Sequence, residues 1–197
     1  MGKAIYFDRD GVINRLVINP LTGEYEPPHN PGQLVLFPWV IEALRDLQRA
    51  GFDFFLVSNQ PDHAKGKVSL EEIHAVHQRL EQILTTEGIH FRDFYYCFHH
   101  PKGIKPGFSY DCECRKPKPY FLIQSAKKYR IDLSHSWMIG DRDTDIECGT
   151  AAGATTILIE EPCSEQYRGI SKPDYIVKNL KEASDLILTM TSSGNKG

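Results

Sequence analysis

Phe7-Asp8-Arg9-Asp10-Gly11-Val12-Ile13-Asn14 is the stretch of sequence that indicates the fold. It continues an apolar run, residues 4–7, which predicts a buried strand. Asp8 and Asp10 are spaced i, i+2, so both carboxylates point to one side of the chain. Two such anions need a cation between them or a proton on one of them, and Gly11 lets the backbone turn closely around a ligand. The alternative is a pair of solvated aspartates in a turn.

Length and composition predict one globular domain. The chain has 197 residues, 41% hydrophobic and 25% charged, which suffices for a single core over residues 1–190. The small, polar tail, residues 191–197, is expected to be disordered. A net charge of −3 without blocks of like charge argues against binding to nucleic acid or to an anionic membrane. No apolar stretch reaches the ~18 residues that span a bilayer and no secretory signal precedes the first strand, so we expect a cytoplasmic protein.

Strands and helices alternate along the rest of the chain. The further expected strands are residues 52–57, 94–98, 137–139, 156–159 and 174–177. The expected helices are residues 39–50, 69–86, 119–129, 145–152 and 179–190. This alternation is typical of an α/β fold with a mainly parallel sheet between two helical layers, a Rossmann-like three-layer sandwich. The polar, proline-rich stretch of residues 15–38 is too long for a plain connection and is expected to form a lid or binding loop.

Polar residues follow three of the predicted strands. Asp8 and Asp10 follow the first, Ser58-Asn59-Gln60 the second and Asp141 the fourth. Ligands of parallel sheets bind beyond the carboxyl ends of the strands, so these side chains are expected to meet at one edge. The sequence therefore predicts a functional site there.

These motifs, in this order, resemble those of the haloacid dehalogenase superfamily of phosphotransferases, and the matches cover nearly the whole chain. Asp8-x-Asp10-Gly11 matches the first motif. The resemblance implies that Asp8 attacks phosphorus and that Asp10 is the general acid/base. Ser58 matches the second motif, where a hydroxyl and nearby N–H groups hold phosphoryl oxygens. The substrate-binding residues expected on this strand end are Ser58, Asn59 and Gln60.

Arg115 and Lys116 match the third motif of the superfamily. There, a cation before a helix neutralises the nucleophile and the transferring phosphoryl group. We expect Lys116 to stabilise charge during catalysis and Arg115 to bind substrate. Arg142 either contacts a substrate phosphate or faces solvent, and we include it among the substrate-binding candidates.

Asp141 lies in the fourth motif, whose acidic residues bind Mg²⁺. Carboxylate and carbonyl oxygens suit this small, hard cation. The resemblance implies that Asp141 binds it directly, together with Asp8 and the main-chain carbonyl of Asp10. Asp145 either binds Mg²⁺ through water or caps the following helix.

Three cysteines and a histidine within one stretch indicate a metal site. Cys97, Cys112 and Cys114, together with His99 or the adjacent His100, would supply three thiolates and an imidazole. That set favours tetrahedral Zn²⁺, and four protein ligands would make the metal structural. The alternative is a thiol pair beside a surface histidine. Spacing alone leaves both histidines open, and the superfamily pattern favours His99.

The metal loop makes the chain look like one branch of the superfamily, which contains heptose bisphosphate phosphatases and histidinol-phosphate phosphatase domains. This likeness implies short loops over the site, no large cap domain and a zinc-bound loop. The twelve residues between His99 and Cys112 suit the heptose enzymes. The chain departs from that pattern in the longer loop at residues 15–38 and in Pro61.

We therefore expect a Mg²⁺-dependent, monomeric phosphomonoesterase for a small phosphorylated metabolite, with the 7-phosphate of a heptose 1,7-bisphosphate as the preferred substrate. Five candidate cations could surround a bisphosphate: Lys65, Lys67, Arg115, Lys116 and Arg142. Histidinol phosphate, whose amine would favour Glu24, Tyr25 and Glu26, is the alternative. A non-catalytic, zinc-stabilised phosphate-binding module is a rival from another class. A nucleic-acid phosphatase is the third, and the acidic net charge argues against it.

Overall fold

Strand β1 (Ala4–Phe7) lies inside a six-stranded parallel sheet in the computed structural model, which describes residues 2–193. Its two neighbours are β4 (Asp53–Asn59) and β6 (Trp137–Gly140). Outside β4 lies β5 (Asp93–Cys97), and outside β6 lie β7 (Thr155–Ile159) and β8 (Tyr175–Val177). Parallel neighbours need long crossover connections, and these connections carry the helices.

The helices cover both faces of the sheet, which confirms the predicted three-layer α/β fold. They are α1 (Val40–Arg49), α2 (Leu70–Thr86), α3 (Tyr120–Tyr129), α4 (Asp143–Ala152) and α5 (Leu180–Ser193). Ile5 and Phe7 pack in one core with α1, α2 and α5. Ala4 and Tyr6 point to the opposite face and pack with α3 and α4. Because both faces are covered, all four side chains of β1 are fully buried.

Local hydrogen bonds set the helix ends. Ser69 and Glu72 form the expected capping box at the start of α2. Helix α4 begins two residues before the expected Asp145, since the Asp145 carboxylate accepts the N–H of Arg142 and satisfies the first turn. Helix α5 continues to Ser193, so residues 191–193 are helical where the sequence indicated a tail. The disorder expected for residues 194–197 lies outside the described residues.

The proline-rich stretch at residues 15–38 contains a small hairpin that the sequence did not indicate. Its strands are β2 (Val17–Ile18) and β3 (Tyr25–Glu26), which pair antiparallel. Two-residue strands are too short to show an alternating pattern. An ion pair between Glu26 and Lys67 ties the hairpin to the turn after β4.

The described chain consists of the sheet, its helices and the loops at its edges, so residues 2–193 contain no large cap domain, as predicted. Within the same residues, no helix is long and apolar enough to cross a membrane.

Candidate active site

Three buried carboxylates meet at the carboxyl edge of the sheet. Asp8 follows β1, Asp141 follows β6, and Asp145 lies in the first turn of α4. An oxygen of each lies within 4.8 Å of the others. Two glycines allow this approach: a Cβ on Gly11, whose φ is +93°, would lie 2.2 Å from Asp141 Oδ2, and one on Gly140 would lie 2.1 Å from Asp145 Cβ.

Lys116 supplies a positive charge to this cluster. Its ammonium group donates to Asp8 Oδ1 at 2.7 Å and to the Val57 carbonyl at 2.6 Å, and lies 2.6 Å from Asp145 Oδ1. Burial alone would lower the pKa of Lys116, but the Asp145 and Asp8 carboxylates outweigh it and raise that pKa above its usual value. Lys116 therefore stays cationic. Its backbone exchanges two hydrogen bonds of 3.1 Å with the Asn59 side chain, which joins the end of β4 to this loop.

Asp141 is a buried acid whose surroundings favour a bound cation. It is 0% exposed, and neither carboxylate oxygen has a hydrogen-bond partner within residues 2–193. Burial, followed by the nearby Asp8 and Asp145 carboxylates, raises the pKa of Asp141 well above its usual value. Buried anions without partners are costly, so the residues present fit a hard divalent cation held by carboxylate oxygens.

The Asp10 carboxylate is fixed by four hydrogen bonds. Oδ1 accepts from Arg9 Nε at 3.1 Å and from Asn14 Nδ2 at 2.9 Å. Oδ2 accepts from Arg9 Nη2 at 3.0 Å and from Gln60 Nε2 at 2.6 Å. Gln60 Nε2 also donates to Ser58 Oγ at 3.0 Å. Gln60 and Ser58, two of the three residues expected to bind substrate on this strand end, are each only 2% exposed.

A cavity of about 520 Å³ opens over these groups. The five cations expected at one entrance, Lys65, Lys67, Arg115, Lys116 and Arg142, all line it. Three of them are already paired: Lys67 with Glu26, Lys116 with Asp8 and Asp145, and Arg142 with Asp141. Arg142 stacks 4.2 Å from the Tyr167 ring, and its Nε lies 3.9 Å from Asp141 Oδ2. Arg142 therefore faces the cavity rather than open solvent.

The cysteine loop forms a second cluster beside the cavity. The Sγ atom of Cys112 lies 3.4 Å from that of Cys97 and 3.2 Å from that of Cys114, too far for a disulfide bond. His99 Nδ1 lies 3.4 Å from Cys114 Sγ, which places His99 in the cluster, and His100 lines the cavity instead. Burial raises the pKa of Cys114 to about 11. The four residues can hold a metal ion, and their ligand atoms lie within 4.8 Å of one another.

Relatives that match most of this chain in sequence are named phosphatases. A family model described as HAD-hydrolase-like matches residues 113–183. The heptose-1,7-bisphosphate 7-phosphatase of Pasteurella multocida is 32% identical, over 98% of this chain and 100% of its own. That of Yersinia pestis is 31% identical, over 91% and 92%. The chain belongs to the haloacid dehalogenase superfamily. Within it, the chain is a member of the heptose bisphosphate phosphatase family.

A solved structure shares the fold. The D,D-heptose 1,7-bisphosphate phosphatase from B. bronchiseptica, complexed with magnesium and phosphate, superposes with a TM-score of 0.78. It is 24% identical, and the match covers 95% of this chain and 99% of that one. This structure shows the fold, and the relatives at 31–32% identity confirm the superfamily inferred from the four motifs and its branch.

The structure brings the superfamily motifs to one edge, as the strand ends predicted. Asp145, which the sequence left between two roles, has one oxygen on Lys116 and the other on the Arg142 N–H.

Sequence reasoning missed Arg9 and Asn14, the other partners of Asp10. The only signal for them was their position inside the first motif, where an arginine beside a strand usually indicates solvent exposure.

Proposed function

We propose that this chain is a Mg²⁺-dependent phosphomonoesterase that hydrolyses the 7-phosphate of D-glycero-D-manno-heptose 1,7-bisphosphate. The observation that carries the proposal is the buried pairing of Asp8 with Lys116 beside the unpartnered carboxylate of Asp141. A protein that only bound phosphate would have no need for a buried anion at the place where the phosphate must approach. The names of the relatives supply the substrate.

The nucleophile of the proposed reaction is Asp8. Its carboxylate attacks phosphorus in line with the leaving oxygen, and an aspartyl-phosphate forms. Asp10 protonates the leaving oxygen, then accepts a proton from the water that hydrolyses the intermediate. Lys116 remains beside Asp8 throughout and offsets the charge that develops on the phosphoryl oxygens.

The metal that suits the first cluster is Mg²⁺. Asp8 and Asp141 would hold it through carboxylate oxygens and Asp10 through its main-chain carbonyl. Both oxygens of Asp145 are engaged by Lys116 and by the Arg142 N–H, so we assign Asp145 to positioning Lys116. When bound, Mg²⁺ would neutralise the approaching phosphate and let Asp8 stay ionised next to it. The fit rests on the two unpartnered oxygens of Asp141.

For the second cluster we propose one structural Zn²⁺, bound by Cys97, His99, Cys112 and Cys114. Thiolates with one imidazole are typical ligands of structural zinc. The Nε2 atom of His99 lies 2.9 Å from the Tyr110 hydroxyl, a contact that would orient the ring toward the sulfur atoms. Arg115 and Lys116 follow Cys114 directly, so this metal would also position the third motif.

A second phosphate fits the cations that the site leaves unpaired. Among the described residues, Lys65 and Arg115 form no ion pair, and both line the cavity. Glu26, an acid that would have favoured an amine, is bound to Lys67. These charges favour a bisphosphate over histidinol phosphate, the alternative substrate.

The experiment compares kcat/KM for the heptose bisphosphate and for histidinol phosphate at one Mg²⁺ concentration. We expect the bisphosphate to be preferred by at least about tenfold, roughly 1.4 kcal/mol in transition-state binding. Asp8→Asn serves as the control that assigns both activities to this site. A tenfold preference for histidinol phosphate would contradict the proposed substrate but not the proposed phosphatase activity. Hydrolysis of either ester by Asp8→Asn at the wild-type rate would overturn the mechanism.

A further inference from the structure

Arg9 is the largest fully buried side chain of the described residues. It does not line the cavity, so it cannot touch a substrate there. Yet it lies between the proposed nucleophile and the proposed acid/base in the sequence. A charged side chain is almost never fully buried unless it is paired, so its partner indicates its task.

That partner is Asp10. Arg9 contacts both carboxylate oxygens of Asp10, through Nε at 3.1 Å and Nη2 at 3.0 Å. The pair is side-on and bidentate, which fixes the plane of the carboxylate as well as its place. The amides of Asn14 and Gln60 donate to the same two oxygens from other directions. Each oxygen therefore has two donors, so Asp10 exchanges one of these hydrogen bonds for the leaving oxygen or the water when it transfers a proton.

The guanidinium group is itself held from behind. Its Cζ atom lies 5.8 Å from the centre of the Tyr96 ring, whose hydroxyl is 3.1 Å from His77 Nδ1 on α2. The main-chain carbonyl of Arg9 accepts the N–H groups of Ile13 and Asn14, which closes the turn after β1. Arg9 thus joins the Asp10 carboxylate to the packed interior between the sheet and α2.

We propose that Arg9 is a positioning residue, which sets the direction of the Asp10 carboxylate toward the leaving oxygen and the attacking water. The proposal rests on the proposed function, because it assumes that Asp10 acts as the acid/base. A lysine could supply the charge at this place but not the planar fork, so it would restrain Asp10 less. Arg9 itself exchanges no proton, since guanidinium groups stay protonated in proteins.

The test uses two esters that need a general acid to different extents. Glycerol 3-phosphate has a poor leaving group, which must be protonated, and p-nitrophenyl phosphate has a good one. We expect Arg9→Met to lower kcat about 100-fold on glycerol 3-phosphate and about tenfold or less on p-nitrophenyl phosphate, with KM nearly unchanged. Arg9→Lys should recover part of the loss. Equal losses on both esters would overturn the proposal, because a general structural defect does not distinguish leaving groups.

A double-mutant cycle provides the second readout. If Arg9 acts through Asp10, then Arg9→Met changes the residual p-nitrophenyl phosphate activity of Asp10→Asn by less than about twofold. If Arg9→Met lowered the activity of Asp10→Asn by the same factor as that of the wild type, the proposal would be overturned. Arg9→Lys replaces Arg9→Met in both measurements if the latter fails to fold.

The matched control is Arg92→Met. Arg92 Nε also donates to an aspartate, Asp53 Oδ1 at 2.8 Å, but on the exposed surface at the opposite end of β4. We expect this variant to keep wild-type kcat on both esters. Failure of the wild type to hydrolyse heptose bisphosphate would overturn only the proposed substrate. An Asp10→Asn variant that hydrolyses glycerol 3-phosphate at the wild-type rate would overturn the acid/base role of Asp10 and this proposal with it.

Discussion

Replacing Asp141 with asparagine should stabilise the Mg²⁺-free protein while abolishing its activity. The wild-type carboxylate is fully buried and has no hydrogen-bond partner among residues 2–193. Asparagine keeps the shape, removes the charge and offers an amide that can donate to Asp8 or Asp145. The substitution therefore removes a buried anion that has no hydrogen-bond partner and only the distant Arg142 as a counter-charge, and it adds a donor where acceptors are in excess.

The magnitude follows from the burial of that group. An unsatisfied buried polar group costs about 1–3 kcal/mol, and a charged one more. We therefore expect a gain of roughly 2 kcal/mol, which for a domain of this size raises Tm by about 4–8 °C.

The gain also depends on pH, because burial and the Asp8 and Asp145 carboxylates raise the pKa of Asp141 in the folded state. A raised folded pKa means that the native state holds more protons than the unfolded state above about pH 4, so wild-type stability falls as pH rises. The Tm advantage of Asp141→Asn should be larger at pH 7 than at pH 5.

Thermal unfolding by calorimetry measures this difference. Mg²⁺ is removed by dialysis without chelator, so that a metal on the cysteine loop stays in place. Saturating Mg²⁺ should reverse the order, since the wild type gains a ligand-bound state and the variant gains little. Asp143→Asn is the matched control: Asp143 accepts the N–H groups of Gly169, Ile170 and Ser171, so this variant should lose stability with or without Mg²⁺. A lower or unchanged Tm of Asp141→Asn without Mg²⁺ at pH 7 would refute the reasoning.

Three further predictions concern single residues. Asp8→Asn should lower turnover by at least ~10³-fold, because it removes the attacking charge, and purified variant retaining a tenth of wild-type kcat would contradict the covalent route. Elemental analysis should find about one zinc per wild-type chain purified without added metal and much less in Cys112→Ser. The KM of this variant should rise, because Arg115 loses its support. Equal zinc in both proteins would argue against the ligand set. Gly140→Ala should lower both Tm and activity, since its Cβ would lie 2.1 Å from Asp145 Cβ, and a variant with wild-type Tm would show that α4 can move away.

The sequence predicted the elements whose signals are local and strong. The apolar run of β1 and the Ser69 capping box lie where expected, because each is determined by neighbouring residues. Strand β4 extends two residues beyond the predicted Val57, since Ser58 and Asn59 pair with β5. Such pairing depends on a partner distant in the chain, which a local pattern cannot show.

Within the site, the sequence predicted which residues lie close together but not which hydrogen bonds and ion pairs each one forms. Strand ends correctly predicted that Asp8 and Asp141 meet, and the third motif correctly predicted Lys116 beside Asp8. Asn59, which was expected to bind substrate, lines the cavity, and its side chain also has two hydrogen bonds to the backbone of Lys116 that the sequence did not indicate. The pairing of Lys67 with Glu26 also depends on how the hairpin folds back over residues 61–67. These contacts arise from the packing of loops, which composition and spacing do not determine.

The residues of the chemical centre and the loops around it occupy different parts of the sheet architecture. Asp8, Asn59 and Asp141 end three adjacent strands, β1, β4 and β6, which are buried on both sides by their neighbours. The hairpin at residues 17–26 and the cysteine loop are excursions that leave the sheet and return to it without contributing a strand to it. The hairpin can be lengthened, shortened or exchanged while the three strands keep their register, whereas a change in the cysteine loop would also move Lys116, which contacts Asp8 and Asp145. Recognition can therefore change through the hairpin while the chemical centre keeps its geometry.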